Sequence, residues 1–237
     1  MVGLASLALG AWLRLGPLPA GLLDLRDAES IALVDRNDEL LYEARASDGS
    51  KSTWLDADHL PQPLVDATIA AEDRRFFRHA GLDVVAIGRA ALRDLRHRRV
   101  LEGGSTITQQ TAKLLLARRS GEREGDAAPS RGVVAKIREA IVALRLEHQL
   151  TKRQILALYL NLAPYGNQVR GAARASQTYF GHDASLLTSA EAAFLAALPR
   201  RPSTYNPYRD PDRARGRQQD VLSRMESFGL LKGDRLR

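Results

Sequence analysis

From Pro61 and Pro63 onward the chain is a succession of helix patterns, each with its own start or stop signal. That punctuation constrains the fold more than any other feature, because so many separately capped helices leave little room for a sheet. The first pattern covers residues 64 to 78 and meets a stop at His79-Ala80-Gly81. Asp83 can cap a second helix from Val84 to about Arg98, and Ser105 a third with Ile107, Thr111, Leu114 and Leu115 on one face. Residues 118 to 132 are polar and rich in glycine and charge, and read as a mobile loop. A fourth helix places Val133, Ile137, Ala140, Ile141 and Leu144 at core spacing. Thr151 to Gln154 and Thr188 to Glu191 are capping boxes for two more helices, the first running through Asn161 and the second stopping at Pro199. A last amphipathic helix spans about 211 to 228. Only residues 30 to 45 alternate like strands, about a turn at Asp35 to Asp38. The expectation is an all-α fold with a short N-terminal β-hairpin.

Composition limits the chemistry. Of 237 residues none is cysteine, which excludes a disulfide scaffold, thiolate-ligated zinc and a thiol nucleophile. His79, His97, His148 and His182 lack metal-site spacing, and Ser105 lies in no nucleophile turn. A net charge of +7 favours an anionic partner, while the 5% aromatic content argues against base stacking. The first 23 residues are apolar except for Arg14, but Pro17 and Pro19 interrupt them before a spanning length is reached. They read as the outer part of a membrane anchor that begins before this chain, with an apolar helix lying on the core as the alternative.

Three clusters could carry chemistry. Glu72 and Asp73 lie at the end of the first helix among Arg74, Arg75 and Arg78, followed by Phe76, Phe77 and His79. Apolar neighbours strip water from a carboxylate and favour its use as a general base, whereas the arginines favour its charged form. A solvated ion-paired helix end would look the same on composition. Gly103-Gly104 before Ser105, Thr106, Thr108, Gln109 and Gln110 frees the backbone ahead of a polar helix start, with Lys113 a turn further on. That pattern suits a phosphate or sugar, but is not a P-loop. Lys136 and Glu139 share one face of the fourth helix, where a surface ion pair is the plain alternative. Arg89, Arg93, Arg96, Arg98 and Arg99 interleave with Val84, Val85, Ile87, Leu92 and Leu95. Such a basic amphipathic stretch suits an anionic lipid surface, with nucleic acid as its rival.

Taken together, the segments resemble the peptidoglycan glycosyltransferases of glycosyltransferase family 51. Glu72 to Gly81 is similar to the family's first motif, Gly103 to Gln110 with Lys113 to its second, and Lys136-Ile137-Arg138-Glu139 to its third. Ile155 to Asn161, with Tyr165-Gly166 and Gly171 through Gly181, resembles the fourth. Glu191 to Pro199, with Pro202 and Tyr205-Asn206-Pro207, resembles the fifth. The likeness runs in order from about residue 55 to 210. Val34-Asp35-Arg36, the Lys136-Ile137-Arg138 form and the Arg-rich helix most resemble the penicillin-binding protein 1C branch of the class A proteins. One departure stands out: Ala135 precedes Lys136, where the family commonly has Arg-Lys, and Arg138 or Arg131 could compensate.

The resemblance implies a lysozyme-like fold and a division into an anchor (1–23), a hairpin linker (24–60), a glycosyltransferase domain (61–210) and a helix (211–237) leading to a transpeptidase domain. It implies polymerisation of lipid II onto a glycan chain carried by undecaprenyl diphosphate, at the periplasmic face of a bacterial inner membrane. Glu72 would be the base and Glu139 a second catalytic acid. Lys113, Lys136 and Arg138 would offset diphosphate charge. Asp73, Phe76, His79, Gly104, Ser105, Thr106, Gln109 and Gln110 would complete the substrate cleft. No cofactor is obligatory and no metal ligand set is expected, although Mg or Mn could assist at the diphosphate. Cell-wall synthesis proteins are the implied partners and nucleic acid is not. A lysozyme-like lytic transglycosylase and a non-catalytic cell-wall scaffold are the alternatives.

Overall fold

A computed structural model describes residues 10–25, 31–34, 36, 40–44, 54–89, 104–121 and 132–231. Among these, the architecture is almost wholly helical. Strands β1 (Ile31–Val34) and β2 (Leu40–Ala44) pair antiparallel, Ile31 opposite Ala44 and Leu33 opposite Tyr42. The helices are α1 (Gln62–Glu72), α2 (Ile107–Arg119), α3 (Val133–Gln149), α4 (Lys152–Leu162), α5 (Ala172–Phe180), α6 (Ser189–Ala197) and α7 (Pro211–Ser227). Helical stretches also cover 10–15 and 84–89. By its contacts the chain divides into two compact units, one within Met1–Leu23 and Arg75–Tyr159, the other within Asp24–Arg74 and Leu160–Arg237.

In the first unit α2 packs against α3. Helix α2 buries Ile107, Thr111 and Leu115, as its spacing predicts, but its cap is Thr106 rather than Ser105. Thr106 Oγ1 accepts from Gln109 N at 3.1 Å, and Gln109 Oε1 accepts from Thr106 N at 2.9 Å. The reciprocal bonds need Gln or Glu three residues past the cap, a condition that Thr106 meets and Ser105 does not. Helix α2 also runs on through Arg119, into the stretch expected as loop; residues 122–131 of that loop lie outside the described residues. Helix α3 departs further from expectation. Val142, Ala143 and Leu146 are buried, while Val133, Val134 and Ile137 are 74%, 80% and 54% exposed. The apolar residues of its first turns thus face away from the core.

Arg145, further along α3, holds the N-terminal segment. It donates from Nη1 to Pro17 O at 2.7 Å, and its guanidinium lies 5.0 Å from the Trp12 ring centre. Asp83 caps the stretch 84–89, accepting from Val85 N and Ala86 N, and faces Arg75 at 3.5 Å. Burial opposes ionisation of Asp83, but the Ala86 amide and the Arg75 charge outweigh it and hold the carboxyl below its ordinary range. Arg93, Arg96, Arg98, Arg99, Leu92 and Leu95 of the expected second helix lie outside the described residues.

In the second unit α1 packs on α6 and α7. The buried face of α6 is Ala192, Ala193, Leu195, Ala196 and Ala197, side chains small enough for close helix approach. Helix α7 buries Ala214, Arg217, Val221 and Met225 at helical spacing. Asn161, 2% exposed, accepts from Leu55 N at 2.7 Å and donates to Leu55 O at 2.9 Å. This fully paired amide holds the segment that leads into α1. Tyr179 donates to Tyr165 O at 2.7 Å, and Gly166 takes a φ of 86° where a Cβ would approach Pro202 O to 3.3 Å. Helix α1 ends at Glu72, not near Arg78: Asp73 is its cap, at φ −156°, and a separate 3-10 turn covers Phe76–Arg78. Residues 64 to 78 therefore form two elements rather than one.

Both capping boxes of the later helices are present. Thr151 and Gln154 bond reciprocally at 2.8 and 3.3 Å, as do Thr188 and Glu191 at 2.9 and 3.2 Å. Glu191 Oε1 also faces His182 Nε2 at 3.1 Å, while His182 Nδ1 faces Asp183 O at 3.0 Å. Both partners are acceptors, so only the imidazolium satisfies both. The Asp183 carbonyl and the Glu191 carboxylate accordingly raise His182 above its ordinary 6.5. Burial pushes the Glu191 carboxyl up, but the Thr188 and His182 bonds together outweigh it and hold the carboxyl below its ordinary range. A raised histidine stabilises fully below its unfolded value and loses that contribution as pH rises through the folded one. The melting-temperature deficit of His182→Asn should therefore be full at pH 5.5 to 6 and shrink above about pH 7. A deficit that does not change with pH would contradict this assignment.

Candidate functional site

The residues singled out in the sequence fall on both units. Glu72 and Asp73 belong to the second, and Phe76, His79, Gly104, Ser105, Thr106, Gln109, Gln110, Lys113, Lys136, Arg138 and Glu139 to the first.

In the second unit Glu72 is the last residue of α1, partly accessible overall but with Oε1 buried. Asp73 follows it as a buried cap whose N–H donates to Ile69 O at 3.0 Å. One carboxylate thus keeps some access to solvent while its neighbour is enclosed by the helix end.

In the first unit Phe76 is fully buried and meets the edges of Phe77 and His79 at 5.2 and 6.2 Å between ring centres. Lys152 Nζ lies 4.4 Å from the Phe76 ring centre and 2.6 Å from Glu147 Oε1. The same Oε1 accepts from Thr108 Oγ1 at 2.6 Å. This network fastens the 3-10 turn to the start of α2, the end of α3 and the start of α4. Sequence reasoning missed it. Its members are far apart in the chain, Thr108 and Glu147 by 39 residues and Phe76 and Lys152 by more, and only a threonine inside an apolar helix face hinted at it. Thr106 Oγ1 adds a 2.6 Å bond to Gly81 O. Gly81, at φ 91°, lies so near α3 that a Cβ would come within 3.1 Å of Ala143 O. The end of the first sequence motif and the start of the second therefore meet at one place.

The expected cleft residues divide in character. Thr106 is buried and, with Gln109, engaged in the helix cap, whereas Ser105 is exposed and Gly104 and Gln110 partly so. Lys113 on α2 and Lys136 and Arg138 on α3 are all exposed, and among the described residues none of the three is ion-paired. Glu139, one turn beyond Lys136, is partly buried. Exposed cations without carboxylate partners beside a helix N-terminus make a surface suited to a large anion. Compensation by Arg131 falls outside the described residues.

Comparison with known proteins bears on this arrangement. The family model described as Transglycosylase matches residues 37–226. The chain belongs to the transglycosylase family. Penicillin-binding protein 1A of Aquifex aeolicus is 41% identical over 181 residues, covering 76% of this transglycosylase chain and 24% of its own length. The protein of the same name from Neisseria flavescens is 42% identical, over 73% of this chain and 21% of its own. That of Escherichia coli K12 is also 42% identical, over 73% and 19%. The chain thus spans about a quarter or less of the length of each of these three relatives. The solved structure of penicillin-binding protein 1A from Haemophilus influenzae is similar over 87% of this chain and 19% of its own, at 22% identity and a TM-score of 0.44.

Proposed function

We propose that this transglycosylase chain is a peptidoglycan glycosyltransferase with a lysozyme-like scaffold, joining lipid II to a glycan carried on undecaprenyl diphosphate. The observation that carries the reading is that, in a chain of this family, Lys113, Lys136 and Arg138 stand exposed and without ion-pair partners among the described residues. A glycosidase acting on a neutral sugar bond has no use for three such cations. A reaction that expels a diphosphate does.

In this reading Glu72 accepts the proton of the acceptor's GlcNAc 4-hydroxyl. The oxygen attacks MurNAc C1 of the donor, the bond from C1 to the diphosphate oxygen breaks, and undecaprenyl diphosphate leaves with the electron pair. Attack opposite the leaving group inverts C1 and gives a β-1,4 linkage. Lys113, Lys136 and Arg138 offset the charge that grows on the leaving diphosphate. Glu139 assists from α3. Ser105, Gln110 and Gly104 belong to the donor side, with Thr106 and Gln109 shaping it through the helix cap, and Asp73, Phe76 and His79 complete the substrate-binding set. Among the described residues no three His, Asp or Glu side chains gather into a metal site. No step is routed through Mg or Mn.

The place of action follows from the substrate's lipid: the periplasmic face of the inner membrane. Among the described residues no helix is long and apolar enough to cross a membrane. The first unit nevertheless exposes the side chains of Val133, Val134, Ile137, Val84 and Trp12, each of a kind that suits contact with lipid. Kinship with the 1C branch rests on Val34-Asp35-Arg36 and Lys136-Ile137-Arg138, whereas the relatives above carry the 1A name. A transpeptidase domain beyond residue 237 and cell-wall synthesis partners belong to the same reading.

The test is polymerisation of lipid II in detergent, with and without a phosphoglycolipid of the moenomycin type as a donor mimic. Polymer should form and the mimic should suppress it; no polymer at any enzyme concentration would refute the reading. Lys136→Ala should lower turnover by about 10²–10³-fold, in the manner of a lost transition-state donor. Because Lys136 is exposed, its melting temperature should not change.

A further inference from the structure

The C-terminal helix brings a cluster of charge to the end of α1. Arg224 on α7 donates from Nη1 to Ala71 O at 3.1 Å. Ala71 immediately precedes Glu72, and its carbonyl is one of the four at a helix end that lack an intrahelical donor. Arg74, two residues past Glu72, is directed elsewhere: its guanidinium lies 4.3 Å from the ring centre of Phe228, the cap of α7. The ends of α1 and α7 are therefore clasped twice, and in one of the two contacts a cation is tied to the residue next to the candidate base.

Arg224 is held at some cost. Burial, Arg217 and Arg200 all push its guanidinium below its ordinary range, and only Asp220 and Glu72 act in the other direction. Arg217, itself 7% exposed, faces Asp220 at 3.7 Å. From α6 the sole charged residue is Glu191, which is bonded to His182 and Thr188. A third arginine beside two others is poorly explained as a simple helix cap, which a neutral donor could provide at less electrostatic cost.

We infer that Arg224 is a positioning residue for Glu72: clamped to the Ala71 carbonyl, it fixes the end of α1 that carries the Glu72 carboxylate. The inference rests on Glu72 as the base of the proposed reaction. The charged groups that act on Arg224 itself are Arg217, Arg200, Asp220 and Glu72.

The test is kcat and KM for lipid II polymerisation by wild type, Arg224→Met and Arg224→Lys, with Glu72→Gln alongside. Arg224→Met removes the clamp on the Ala71 carbonyl, so kcat should fall by about 10–10²-fold with KM little changed, as for a misplaced catalytic group. Arg224→Lys keeps a donor for that carbonyl and should restore most of kcat. A purely structural cap would instead lower the melting temperature of both variants and leave kcat of the folded enzyme where it was, and that result would overturn the inference alone. An active Glu72→Gln would overturn the base assignment beneath it.

Discussion

Glu72→Gln should abolish polymerisation of lipid II. The expected loss is about 10²–10⁴-fold, the range for removing a positioned general base. Glutamine matches the shape of glutamate and keeps an acceptor at Oε1, so the buried end of α1 should be undisturbed. The control is the melting temperature, which should stay within about 2 °C of wild type, the shift expected for a change below about 0.5 kcal/mol in a chain of this size. Unchanged turnover would remove Glu72 from the chemistry. Lost turnover together with a large melting shift would point to a structural role for the residue instead.

The largest stability effect should come from Lys152→Met. Its ammonium is 20% exposed and the facing Glu147 carboxylate 7%, so the substitution leaves a nearly buried charge with only the Thr108 hydroxyl beside it. Breaking one side of a buried pair typically costs about 3–5 kcal/mol. The partial exposure of Lys152 argues for the lower end, about 3 kcal/mol, or a melting shift of about 6–12 °C. The lysine's contact with the Phe76 ring disappears as well. Lys152→Met combined with Glu147→Gln removes the stranded charge and should recover much of the loss. A double mutant as unstable as the sum of the two single changes would show that the pair is not coupled.

The parts of the fold that could be read in advance are those fixed within a few residues. Thr151 with Gln154 and Thr188 with Glu191 satisfy their own helix ends, so their pattern is complete in the local sequence. The hairpin between Ile31 and Ala44 follows from alternation and turn residues in the same way. Thr106 could have been preferred to Ser105 by the same rule, since only Thr106 has a Gln three residues on.

What was not legible depends on partners distant in the chain. The pattern continues past Glu72, yet α1 stops there and Asp73 turns away. Along α3 the spacing of Val133 and Ile137 matches a core face, and periodicity cannot distinguish a face that meets protein from one that meets something else. The candidate site divides along the same line. Its acids and cations stand out as residue types in ordered segments, whereas the Thr108–Glu147–Lys152–Phe76 network that braces the 3-10 turn exists only once helices far apart in sequence come together.

In the proposed reaction the leaving group is a lipid diphosphate, and glycan is built rather than cut. The most direct measurement incubates the protein in one detergent buffer with lipid II and, separately, with purified glycan strands, and follows product length in both. Lengthening polymer and released undecaprenyl diphosphate are expected from the first, and intact strands in the second. Shortened strands with lipid II left untouched would contradict the proposed reaction.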